Sequence, residues 1–199
     1  GLLSPEKIVK KALKKGPGGL AITDHDTIKG GLEAKKYETK DFKVIIGSEI
    51  MTKRGEIIGL FLSDEIVSKG VHEVVAEIKE QNGIAIIPHP FDELRHSTLC
   101  PTEDDGKIVD AIEVFNSRCV YKEYNKKAME FAKKCNLGMT AGSDAHYANE
   151  IGIGGIVCET ENIREAILKN EVEVFGKRSS LVNHGFTKAL KLWRKIKSG

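Results

Sequence analysis

The sequence has no C-x-x-C pair: its four cysteines, Cys100, Cys119, Cys135 and Cys158, stand 19, 16 and 23 residues apart. That spacing argues against a structural zinc knuckle, and a chain with a sizeable core does not need a disulfide framework. The cysteines read as reduced thiols of a cytoplasmic protein. Long apolar runs are lacking too. The longest, over 57–62 and 84–87, are strand-sized, far short of the ~20 residues a membrane span needs, and no signal-peptide pattern precedes them. There is almost no charge excess: 31 Lys and Arg against 29 Asp and Glu leave +2. That balance gives no support for a nucleic-acid or membrane-surface partner held by bulk charge. Gly152-Ile153-Gly154-Gly155 lacks the third glycine of a dinucleotide fingerprint. No phosphate-binding G-x-x-x-x-G-K-[ST] loop and no G-x-S-x-G elbow occurs.

What is present is a chain of 199 residues, 40% hydrophobic, with neither repeats nor a low-complexity linker. A domain of this size buries roughly 70% of its unfolded surface, which suits one globular unit. Ser4-Pro5 opens a helix that the pattern carries to residue 15. Strand and helix signals then alternate. Strands are predicted over 20–23, 42–47, 56–62, 84–88, 111–115, 137–141, 152–158 and 172–175, and helices over 28–39, 71–82, 122–135 and 163–170. The stretch 91–106 reads as irregular, and a basic amphipathic helix is predicted over 187–197. This alternation predicts an α/β fold with a mostly parallel sheet. The simplest partition is one domain over 1–183, with the C-terminal helix of 184–199 belonging to the same unit.

The chemistry gathers at the ends of the strands. Five of them end in a polar cluster: Thr23-Asp24-His25-Asp26, Gly47-Ser48-Glu49, Pro88-His89-Pro90, Phe115-Asn116-Ser117-Arg118 and Gly142-Ser143-Asp144-Ala145-His146. In a parallel barrel or open sheet such positions meet at one end, where active sites are built. Taken singly, Asp24 or Asp144 could cap a helix and His89 could be a loop residue. Five strand ends with ligand chemistry together favour a metal site, and mixed His and carboxylate donors suit Zn, Mn or Fe.

The strings LAITDHDTIKGGLEA, VIIGSEI, EIIGLFL, IAIIPHPFDELR, IEVFNSR and TAGSDAH resemble, in order, the motifs of the PHP (polymerase and histidinol phosphatase) family of metal-dependent phosphoesterases. The resemblance implies a distorted (β/α)7 barrel with two or three divalent transition ions at the strand C-termini. It also implies hydrolysis of a nucleotide-type phosphomonoester or short oligonucleotide by metal-activated hydroxide, a small phosphorylated substrate and no membrane partner. By this resemblance His25, Glu49, His89, Asp144 and His146 are metal ligands, with Asn116 at a place where many members have His. Arg118 and Arg95 resemble positions that grip phosphate. The alternative is a non-catalytic PHP-like module of a nucleic-acid-processing assembly, supported only by the Lys-rich helix over 187–197.

Family members begin with a strand ending in H-x-H, ahead of a helix like that over 4–15. This sequence starts at the helix, on Gly1 rather than Met. The expectation is therefore a barrel incomplete at its N-terminus and a chain impaired in activity as it stands.

Overall fold

Along Ile84-Ala85-Ile86-Ile87, residues 84 and 86 join one apolar cluster while residues 85 and 87 join another. A strand buried on both faces distributes its side chains in this way. It is a central strand of a mixed sheet. The computed structural model describes residues 3–180 and 183, so the helix expected over 187–197 lies outside the described residues.

The elements run α1 (Pro5–Leu13), β1 (Gly19–His25), α2 (Lys29–Lys35), β2 (Lys43–Thr52), β3 (Gly55–Leu60), α3 (Val71–Glu80), β4 (Ile84–Ile87) and α4 (Glu103–Ile108). They continue with β5 (Ala111–Asn116), α5 (Lys122–Cys135), β6 (Gly138–Gly142), β7 (Gly154–Val157), α6 (Ile163–Leu168) and β8 (Glu173–Gly176). The main sheet has six strands in the order β1-β2-β3-β4-β5-β6, and β7 and β8 form a separate two-stranded ribbon. The pairs β1/β2, β4/β5 and β5/β6 are parallel, whereas β3 runs antiparallel to both its neighbours. The result is a mixed α/β fold whose sheet curls into a half-barrel.

Two layers hold the sheet. On one face Ile50, Ile57, Ala85, Ile87 and Ile112 pack against Val71, Val74, Val75 and Ile78 of α3 and Ala132 of α5. On the other, Leu60, Ile84, Ile86 and Ala111 meet Ile167 of α6, with Ile156 and Ile163 alongside. A third cluster pins α1 and α2 to the β1/β2 end through Val9, Ala12, Ile22, Ala34, Phe42 and Val44. Fully burying an aliphatic side chain is worth roughly 1.5–3 kcal/mol, so these layers carry most of the favourable burial.

One element falls in the stretch read as irregular. Helix α4 has only six residues and a glycine in its interior, too short for an apolar period to show. It is held by its N-terminus: Thr102 and Asp105 form a reciprocal capping box. Arg54 also grips Asp105 in bidentate fashion, at 2.7 and 2.9 Å.

Candidate metal centre

The register of β1, β2 and β3 places the first three groups. His25 lies directly opposite Glu49 in the parallel β1/β2 pair. Glu49 faces Ile58 across the antiparallel β2/β3 pair. Because side chains alternate along a strand, Glu56, two residues from Ile58, shares that face. His25 Nδ1 lies 3.2 Å from Glu49 Oε2 and 3.4 Å from Glu56 Oε1. One donor atom from each of these three residues falls within 4.8 Å of the others.

His89 closes the group from the end of β4. Its Nε2 is 3.1 Å from Glu49 Oε1 and 3.3 Å from Glu56 Oε2. The ring is 1% exposed, and its Nδ1 has no hydrogen-bond partner among the described residues, so its polar contacts with these carboxylates all run through Nε2. Burial lowers the His89 imidazole, but the carboxylates of Glu49 and Glu56 outweigh it and push the group up to about 10. Two imidazoles and two carboxylates facing one another need a positive charge between them. Either a proton on His89 or a divalent ion supplies it, and mixed nitrogen and oxygen donors of this kind fit a transition ion.

Asp144 and His146 lie in an adjoining cluster built on β5 and the segment after β6. Arg95 Nη1 contacts Asp144 Oδ2 at 2.7 Å, and Arg95 Nε contacts Asp92 Oδ2 at 3.0 Å. His146 Nδ1 sits 3.5 Å from Asp144 Oδ1. Burial raises the Asp144 carboxyl, but Arg95, aided by His89 and His146, holds it down at about 2. Asn116 spans the two clusters: its Nδ2 donates to Glu113 at 2.9 Å and to Asp144 at 3.4 Å. Its Oδ1 accepts from Arg118 N at 2.8 Å and from Arg95 Nη2 at 3.2 Å. Asn116 is therefore committed as a hydrogen-bonding bridge, which leaves its carbonyl oxygen poorly placed to ligate. A β-bulge between Glu113 and Phe115 lets both Glu113 and Asn116 reach this layer. Glu113, raised by its burial, also accepts from His89 N at 2.7 Å.

Arg118 is placed elsewhere. Its guanidinium is buried and bonded to Glu150 at 2.7 Å. That partner stands between it and the role of phosphate clamp that the resemblance implies. Glu150 in turn accepts from the backbone N–H groups of His146 and Tyr147 at 2.9 and 3.0 Å, so the pair fixes the segment that carries His146. Asp24 turns toward α2, its carboxylate lying where a side chain on Gly30 would sit.

Glu56, Glu113 and Glu150 were not among the residues expected here. For the first two there is a signal: each is a lone carboxylate in an otherwise apolar strand, and buried carboxylates need partners. Backbone geometry marks the same region. Asp26, His89, Phe91 and Asp144 all have positive φ, at 53°, 29°, 65° and 47°. Such conformations cost non-glycine residues energy and gather at functional sites.

A curled mixed sheet with imidazoles and carboxylates converging at the strand ends is an α/β fold with a candidate metal site. The comparisons assign the family. A family model described as PHP-associated matches residues 122–172. An uncharacterized protein of Methanocaldococcus jannaschii is 50% identical over 120 residues, 57% of this chain and 66% of that protein. A second from the same organism is 36% identical over 169 residues, 82% of this chain and 67% of its own. Among solved structures, a two-domain Bacteroides vulgatus protein containing a predicted PHP-like metal-dependent phosphoesterase superposes with a TM-score of 0.72 at 21% identity. That match covers 89% of this chain and 61% of the other. The chain spans about two thirds of the length of the relatives it matches. It belongs to the PHP family.

Proposed function

We propose that this chain carries the active centre of a metal-dependent phosphoric ester hydrolase acting on a nucleotide-type phosphomonoester or short oligonucleotide. The observation that carries the reading is the group formed by His25, Glu49, Glu56 and His89. Each of the two imidazoles lies 3.1–3.4 Å from both carboxylates, across three strands and a strand end. When bound there, a divalent ion supplies Lewis acidity toward phosphoryl oxygens and a nucleophile from water at neutral pH.

The chain's own residues do the rest. Glu49 touches both histidines and would hold a bound ion together with them. Glu113 holds the His89 backbone and the Asn116 amide, which fixes where His89 Nε2 points. Arg95 is the arginine at the centre, and its planar guanidinium suits a phosphate better than a lysine would. His146 is part-exposed beside Asp144.

The test is hydrolysis by the protein at its full natural length, stripped with chelator and resupplied with Mn, Zn or Fe. Mononucleotides, dinucleotides and sugar phosphates serve as substrates. The expected result is metal-restored turnover, highest on nucleotide-type esters and lost in Glu49→Gln. Metal uptake without turnover on any phosphoester would overturn the catalytic reading.

A further inference from the structure

We infer that Arg95 is the resident second cation of this centre: its guanidinium occupies the place beside Asp144 that a second divalent ion would otherwise take. One ion is then held by His25, Glu49, Glu56 and His89. This rests on the metal-site reading above and concerns how many ions these residues hold.

The closest partner of Asp144 is already cationic. Arg95 Nη1 lies 2.7 Å from its Oδ2. Arg95 is fixed there by two further acceptors, Asp92 Oδ2 at 3.0 Å and Asn116 Oδ1 at 3.2 Å. A guanidinium held on three sides is not easily displaced, because each of its acceptors would lose a charge-assisted bond.

Two other groups face Asp144: the His146 imidazole, its Nδ1 3.5 Å from Asp144 Oδ1, and the amide of Asn116, which is a donor. The backbone N–H of Arg118, 2.8 Å from Asn116 Oδ1, requires an acceptor and so fixes the orientation of that amide. Asn116 therefore presents Nδ2, not oxygen, to Asp144. N–H groups recruit anions and repel cations. One divalent ion would balance Glu49 and Glu56, while Arg95 answers Asp144 and shares its charge with Asp92. A second divalent ion at Asp144 would lie against a buried guanidinium in a medium where like charges repel strongly.

The test is the stoichiometry of Mn binding, by metal analysis after equilibration and by the electron paramagnetic resonance of the bound Mn. Wild type is expected to bind one Mn per chain with an isolated-ion spectrum. Arg95→Gln, which removes the charge and keeps a polar side chain, should bind two and show exchange coupling. Arg95→Lys should stay at one, because the cation is retained. Asp144→Asn should leave the wild-type ion in place.

Two Mn in wild type, with the second lost in Asp144→Asn, would overturn the proposal. So would a folded Arg95→Gln that still binds one. If Arg95→Gln does not fold, the comparison of wild type with Asp144→Asn decides by itself. A wild type that binds no Mn, or whose Mn is indifferent to His25→Ala, defeats the metal-site reading and the proposal with it.

Discussion

Glu150→Gln tests how the segment carrying His146 is held. Glu150 is 1% exposed and is the charge partner of Arg118, itself 5% exposed, at 2.7 Å. It also accepts from His146 N, Tyr147 N and Ser179 Oγ. The amide of Gln keeps one oxygen for the two backbone donors, but its NH2 must then face Arg118, whose buried guanidinium loses its carboxylate partner Glu150. Breaking a buried pair on one side costs about 3–5 kcal/mol. At roughly 2–4 °C per kcal/mol for a domain of this size, the Tm should fall by about 6–20 °C. The double change Arg118→Met with Glu150→Leu removes both charges and should recover part of that loss, since apolar replacements of buried pairs are often near neutral. Thermal unfolding by circular dichroism reads both. A Glu150→Gln Tm within about 1 °C of wild type would show that the pair does not hold this segment.

Three further outcomes are expected. Gly55→Ala should destabilise by roughly 1–3 kcal/mol in urea unfolding, because Gly55 has φ +134° and an added Cβ would stand 2.4 Å from Leu99 N. Burial raises Asp105, but the Arg54 and Thr102 hydrogen bonds outweigh it and hold the carboxyl below its ordinary 3.8. Its contribution is therefore complete above the ordinary carboxylate value and lost as pH falls through the folded-state value. The stability gap between wild type and Asp105→Asn should accordingly close in acid, and a gap unchanged from about pH 7 to about pH 2 would contradict the pairing. Glu113→Ala leaves the buried His89 N without its side-chain acceptor, at roughly 1–3 kcal/mol, and leaves Asn116 Nδ2 only its longer bond to Asp144. It should also weaken Mn binding, as a calorimetric titration would show.

Much of the fold is legible in the sequence because local signals and tertiary context agree. Helix α5 runs from Lys122 to Cys135 as expected, stopped by Asn136 in the left-handed conformation. Strand β4 is as apolar as a strand buried on both faces must be. What was not legible depends on register or on distant partners. Glu56 joins His25 and His89 only because the β2/β3 hairpin sets Ile58 opposite Glu49, and no spacing rule carries that register. Arg118 and Arg95 look equivalent as sequence, yet one finds Glu150, 32 residues on, and the other finds Asp144. A guanidinium's direction is decided by whichever carboxylate the fold brings within reach. Helix α4 was hidden for a different reason: its stability sits in a cap and an ion pair instead of an apolar stripe.

The central claim is that His25, Glu49, Glu56 and His89 together hold a divalent ion, and anomalous diffraction from crystals equilibrated with Mn tests it most directly. The expected result is a strong anomalous peak among the His89 and His25 rings and the Glu49 and Glu56 carboxylates, absent in Glu56→Gln crystals treated alike. A peak seated elsewhere, or none at millimolar Mn, would contradict it.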